Sequence, residues 1–205
     1  MPETSTLTIV NVGYLSTNYW VVSAGRSRLL VDLGYPGTLG TMRARLNQMN
    51  IPLKEIRYAL ATHYHIDHAG LAQELKLSGV RLLVLETQVA AIPLMKKFTK
   101  PQDHYVDIAL EGNVTISFPE SRALLSQIGI PGEILPTPGH SDDSVSLLLE
   151  DGSVFTGDLT PLEYAWEEAG EVVKASWRLL KEMGAKRIYP AHGPVRNLLP
   201  TKSST

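Results

Sequence analysis

Short apolar runs alternate with polar, glycine-marked breaks along the chain, and their period changes from two to about four and back. Leu7–Val12 and Tyr19–Ser23 are β-branched and aromatic and read as strands around the polar turn Ser16-Thr17-Asn18. Arg28–Asp32 reads as a third strand, stopped by Gly34, Pro36 and Gly37. Leu39, Met42, Leu46 and Met49 recur every three or four positions, which predicts a helix. Ile56–Ala61 predicts a strand running directly into Thr62-His63-Tyr64-His65-Ile66-Asp67-His68. A helix with Leu71, Leu75 and Leu77 turned inward is expected next, then a strand over Arg81–Leu85 and a helix over Thr87–Lys97.

Residues 98–112 are polar and broken, and 95–112 is expected to form a lid or insertion. Val114–Phe118 reads as a strand and Glu120–Gln127 as a short helix with Pro119 near its start. Strands follow at Glu133–Leu135, Ser144–Leu149 and Ser153–Thr156, the last two flanking the turn Glu150-Asp151-Gly152. Val172–Met183 predicts a helix, and Arg187–Tyr189 a strand ending at Pro190-Ala191-His192-Gly193. Residues 198–205 are expected to be a flexible tail.

The pattern repeats. The first half reads strand, Asp32, helix, strand, His63, and the second reads strand, Asp158, helix, strand, His192, with Asp-to-His gaps of 31 and 34 positions. A worn internal duplication would set two pseudo-symmetric halves face to face, their strand ends delivering side chains to one cleft.

The length of 205 residues fits one domain over 1–205, large enough for a substantial core. A net charge of −2 offers no broad basic face, which argues against nucleic acid as a partner. No apolar run approaches a membrane span, and no leader pattern opens the chain, so a cytoplasmic setting without membrane association is expected. The absence of cysteine removes disulfides, thiolate catalysis and sulfur-ligated metals.

Of the six histidines, His63, His65 and His68 fall with Asp67 inside six residues at a strand end. Side chains two apart in an extended segment share a side, so His63 and His65 can grip one ion. If the chain then turns helical, Asp67 and His68 point toward a second position. Burying four such groups without a counter-charge is costly, and a cation offsets that cost. Imidazole and carboxylate donors without sulfur suit zinc, iron or manganese.

His63-Tyr64-His65-Ile66-Asp67-His68 resembles the H-x-H-x-D-H signature of the metallo-β-lactamase-fold hydrolases. Four further motifs of that family follow the same order: Val31-Asp32-Leu33-Gly34, Pro138-Gly139-His140, Thr156-Gly157-Asp158 and Ala191-His192-Gly193. The resemblance implies an α/β (α+β) fold, a four-layer αββα sandwich with metals at one edge. It implies that His63, His65 and His140 hold one divalent ion, that Asp67, His68 and His192 hold a second, and that Asp158 bridges both. Asp32 would orient ligating imidazoles from behind. His104 matches no motif and reads as a surface histidine.

The activity implied is hydrolysis of a small ester-like substrate by a metal-bridging hydroxide, zinc being the favoured metal. Asp67 would also orient the nucleophile and carry a proton. A thioester or lactone is the favoured substrate, in a glyoxalase II-like short form without the C-terminal helical region. Two alternatives stay open: a mononuclear iron enzyme resembling persulfide dioxygenases, and a non-catalytic ligand sensor. Aromatics in Tyr14–Trp20, Met95–Gly112 and Leu162–Glu168 either line the cleft or pack against the domain or a second copy in a homodimer. Tyr19, Tyr164 and Trp166 are the substrate-contact candidates.

Overall fold

The structure is a computed structural model and describes residues 7–165 and 167–198. Strands β1 (Leu7–Asn11), β2 (Trp20–Ala24) and β3 (Ser27–Val31) form an antiparallel meander. Helix α1 (Leu39–Gln48) then crosses over to β4 (Ile56–Leu60), which lies parallel to β3. The short helices α2 (Ile66–Ala69) and α3 (Ala72–Leu77) lead to β5 (Arg81–Leu85), and β6 (Val114–Ile116) completes a sheet of order β1-β2-β3-β4-β5-β6.

Helix α4 (Phe118–Gln127) opens the second half. There β7 (Gly132–Pro136), β8 (Val145–Leu149) and β9 (Ser153–Gly157) form another antiparallel meander. Helix α5 (Glu167–Glu182) crosses over to β10 (Arg187–Pro190), parallel to β9, and β11 (Arg196–Asn197) closes the edge. Meander, crossover helix and parallel strand therefore occur twice, as the repeated pattern implies.

The side-chain period of two sorts the strands into layers. Val22, Leu29, Val31, Leu60, Leu83 and Leu85 of the first sheet pack against Ile134, Val145, Leu147 and Phe155 of the second. The alternate residues Val21, Leu30, Ala59, Leu82 and Val84 face outward onto Met42 and Leu46 of α1 and Leu75 of α3. On the far side, Leu148, Val154 and Ile188 pack against Val173, Trp177 and Leu180 of α5. The result is an αββα sandwich of four layers. Because both faces of each sheet are covered, a one-residue slip would exchange two buried sets, so register is strongly specified.

β3, β4, β9 and β10 all end at one edge, where Asp32, His63, Asp158 and His192 follow them. Among the described residues no helix is long and apolar enough to cross a membrane.

Two expectations change. Thr87–Lys97 is not one helix but two 3₁₀ segments, Glu86–Gln88 and Ile92–Phe98. Pro93 has no N–H and its ring would strike the carbonyl four residues back, so an α-helix cannot run through it. Leu77 is 76% exposed: it lies two residues beyond buried Leu75, on the opposite side of α3. The 95–112 segment is fastened to the outer helical layer, since Lys76 Nζ donates to the Ala109 and Glu111 carbonyls and buried Met95 and Ile108 join the core there. Most of the expected tail, residues 199–205, lies outside the described residues.

Candidate metal centre

Asp32 sits just past β3 with φ +59, a backbone conformation uncommon outside glycine. Its Oδ1 accepts hydrogen bonds from Thr62 N at 2.8 Å and from Thr62 Oγ1 at 2.9 Å. Its Oδ2 lies 3.2 Å from His68 Nδ1. One buried carboxylate thus ties the end of β4 to α2. Gly157, at φ +54, packs so closely on the same threonine that a Cβ there would collide with Thr62 Oγ1. Glycine is required at that point to bring Asp158 in.

These contacts set the faces of the imidazoles. Thr62 Oγ1 gives its proton to Asp32, so it accepts from His63 Nδ1, 3.2 Å away, leaving His63 Nε2 bare. His192 Nδ1 donates to the Ser16 carbonyl at 2.8 Å, and its Nε2 faces inward. His68 likewise turns Nδ1 to Asp32 and Nε2 to the cluster. Fixing one ring nitrogen assigns the other to the centre.

Around the centre, His65 Nδ1 and His140 Nε2 are 3.0 Å apart. His68 Nε2 lies 3.2 Å from Asp67 Oδ2 and 3.4 Å from Asp158 Oδ2. His192 Nε2 lies 3.3 Å from Asp67 Oδ2 and 3.4 Å from Asp158 Oδ1. Asp158 Oδ2 is also 3.6 Å from His140 Nε2. Donor atoms on a tetrahedron with bonds of ~2.0–2.1 Å stand about 3.3–3.4 Å apart, so these spacings suit a shared cation. Three groups have mutually close donor atoms: His63, His65 and His140; His63, His68 and Asp158; Asp67, His68 and His192.

The charges are arranged for the same purpose. Burial holds the His63 imidazolium well below its ordinary pKa, and the neighbouring histidines push further down, so His63 is neutral. Burial also opposes charge on His68, but Asp32, Asp158 and Asp67 outweigh it and hold His68 well above the ordinary value. Burial would raise the Asp67 carboxyl; the hydrogen bond and charge of His68 instead bring it to about 2. Asp158 is lowered in the same way, the His68 contact overcoming burial.

His63 Nε2, His68 Nε2 and Asp158 Oδ1 are buried without an aligned hydrogen-bond partner. Such atoms are expensive unless something satisfies them. Two imidazole nitrogens and a carboxylate oxygen, buried, converging and without an aligned hydrogen bond, fit a divalent cation once His68 gives up its proton, and zinc, iron and manganese all accept this donor set. A cavity of about 250 Å³ opens on the His140, Asp158 and His192 side.

The remaining candidates fare unevenly. Tyr19 is fully buried, packed edge-on against Tyr14 at 4.9 Å. Tyr14, Trp20 and Tyr105 are likewise packed into the core or against it, which settles the open choice for them. Tyr164 is 65% exposed but does not line the cavity beside the cluster. Trp166 lies outside the described residues. His104 is exposed, apart from the cluster.

Several residues escaped the sequence reading. Buried Gln88 donates through Nε2 to the carbonyls of Ala61 and Asp143, and its Oε1 accepts from Leu85 N. Asp143 in turn accepts from Tyr64 N at 2.7 Å. This bracket joins the His63–His65 segment to the loop bearing His140. Asn18 Nδ2 donates to the carbonyls of Pro190 and Gly193, fixing the loop of His192.

Comparison with known proteins agrees with this architecture. The family model of the metallo-beta-lactamase superfamily matches residues 12–192, and the chain belongs to that superfamily. Among its relatives, the beta-lactamase-like protein 2 homolog of Caenorhabditis elegans is 29% identical over 185 residues, spanning 87% of this chain and 56% of the relative. The lactamase-like protein nscB of Aspergillus fumigatus is 31% identical, spanning 98% of this chain and 58% of the relative. This chain therefore spans little more than half the length of those relatives. Among solved structures, the FEZ-1 metallo-beta-lactamase of Legionella gormanii superposes with a TM-score of 0.68 at 16% identity, covering 90% of this chain and 76% of that one. A metallo-beta-lactamase family protein of Thermus thermophilus gives 0.67 at 20% identity, covering 93% and 73%. The fold of these proteins typically binds divalent metals, and this chain carries a His/Asp cluster suited to them.

Proposed function

We propose that the chain is a metal-dependent hydrolase that holds two divalent cations, zinc being favoured. His63, His65 and His140 would take one, Asp67, His68 and His192 the other, with Asp158 between them. The observation carrying this reading is the convergence of seven side chains from both halves on one edge, with buried donor atoms left unsatisfied. Cations held there supply Lewis acidity toward the scissile carbonyl and lower the pKa of water.

The chain's own residues do the rest. Asp67, ionised at neutral pH, has Oδ2 3.3 Å from Thr17 Oγ1 and 3.3 Å from His192 Nε2, and it orients the attacking water. A carboxylate with a pKa near 2 is a weak base, so orientation outweighs proton storage at that atom. Asp32 and Thr62 keep His63 and His68 turned inward throughout. The adjoining cavity, with Leu159, Thr160 and Pro161 in its wall, favours a small acyl group as a thioester or lactone.

The test is a hydrolase panel of thioesters, lactones, β-lactams and phosphodiesters, run after defined loading with zinc, manganese or iron. Thioester or lactone turnover that disappears on chelation and returns with two equivalents of zinc supports the reading. Full loading without turnover of any of them contradicts it.

A further inference from the structure

Among the described residues, Arg196 is the one permanent charge lining the cavity beside the cluster that does not belong to the cluster itself. The other lining groups outside the His/Asp set are neutral, such as Leu159, Thr160 and Pro161. Among the described residues no carboxylate forms a salt bridge with Arg196, and its side chain makes no hydrogen bond. A second cavity, of about 260 Å³, shares Arg196 and adds Lys181 and Glu163, yet Glu163 forms no ion pair with it. Among the described residues, then, the exposed guanidinium has no partner.

Its backbone is also tied to the strand that leads to His192. Arg196 pairs with Ile188 of β10, the strand that delivers His192. The intervening turn is held by Asn18 through the Pro190 and Gly193 carbonyls, and by Ser16 through His192. Holding Arg196 and His192 on the same braced hairpin lowers the entropy lost when a ligand bridges them. The cavity has room for roughly eight water-sized groups, enough for a small fragment with its far end at Arg196.

We propose that Arg196 is a specificity-determining residue that recognises a carboxylate of the substrate a few bonds from the scissile group. This rests on the hydrolase reading, and it restricts the substrate class to small acyl compounds bearing an acid. A planar guanidinium matches a carboxylate in a bidentate fork, a geometry that lysine cannot reproduce.

The test compares S-acetyl-3-mercaptopropionate with uncharged S-propyl thioacetate on the zinc-loaded protein, wild type against Arg196→Ala and Arg196→Lys. We expect Arg196→Ala to raise KM for the acidic thioester about tenfold, with kcat and the neutral thioester little changed and Arg196→Lys intermediate. Succinate binding to metal-free protein, followed by chemical shift, provides a readout independent of turnover and should weaken similarly in Arg196→Ala. Equal KM for the acidic thioester and equal succinate binding in wild type and Arg196→Ala overturn the proposal while leaving the hydrolase intact. Succinate binding that needs Arg196, in a loaded protein that hydrolyses neither thioester, sinks the hydrolase reading and supports the anion site.

Discussion

The two halves of the sandwich share a topology but furnish the site differently. The first half contributes His63, His65, Asp67 and His68 from one continuous segment that runs from the end of β4 into α2. His68 is fully buried there, braced by Asp32 and Thr62. The second half contributes His140, Asp158 and His192 from three separate loops, and the side chains of His140 and His192 are 31% and 44% exposed. In the first half His63 and His68 are buried and His65 and Asp67 partly so; the second half closes over them and borders the adjoining cavity. The same topology therefore serves holding in one half and access in the other.

Removing the residue that touches both sides should have the largest effect. Asp158→Ala is expected to lower turnover by about three orders of magnitude, the scale of several kcal/mol of charge stabilisation. Metal analysis of the purified variant should show fewer bound equivalents. A variant with full metal content and activity would remove Asp158 from its bridging place.

The platform can be loosened without touching a proposed ligand. Asp32→Asn keeps the size of the side chain but removes the charge facing His68. We expect metal affinity to fall roughly 10–100-fold, measured by competition with a chromophoric chelator. A smaller loss on Asp32→Asn than on Asn18→Ala, which disturbs the exposed loop of His192, would reverse the order of importance of the two halves.

Protonation offers a third probe. In the metal-free protein His68 carries a proton at neutral pH, whereas His63 is neutral and Asp67 is ionised. A cation at His68 Nε2 must displace that proton, so binding should release about one proton. Affinity should rise about tenfold per pH unit while His68 remains protonated, and level off above its folded pKa. The sign for stability is opposite. His68 is raised on folding, so its ion pairing stabilises the metal-free fold fully below ~6.5 and is lost as pH rises through the folded value. Calorimetry in buffers of different ionisation enthalpy measures the proton count, and a count of zero would contradict a charged His68. At the small end, His104→Ala, at an exposed position of the 95–112 segment, should change neither metal content nor turnover.

Much of this was legible in the chain because it is local. Strands with alternating partners in two cores, such as Leu82–Leu85, print an unbroken apolar run, and the His63–His68 motif is compact enough to be seen whole. The repeat was readable because Asp32 and Asp158 each follow a meander and each precede a crossover. What stayed hidden depends on contacts far apart in sequence. Gln88 reaches Asp143 across 55 positions, and His192 reaches Ser16 across 176, with no local signature at either end. Tyr19 beside a predicted turn looked like a cleft aromatic, but the Tyr14 and Thr17 bridge folds that turn inward and buries it. Arg196, only four positions after His192, was missed for another reason: β11 is two residues long and prints no strand pattern.

The central claim is that seven side chains from two halves cage a pair of cations. Diffraction from zinc-loaded crystals at the zinc absorption edge tests it directly. We expect two anomalous peaks, one ~2.0–2.2 Å from donor atoms of His63, His65 and His140, the other at the same distance from Asp67, His68 and His192, with Asp158 reaching both. Zinc bound only elsewhere on the surface, with no peak inside this cage, would contradict it.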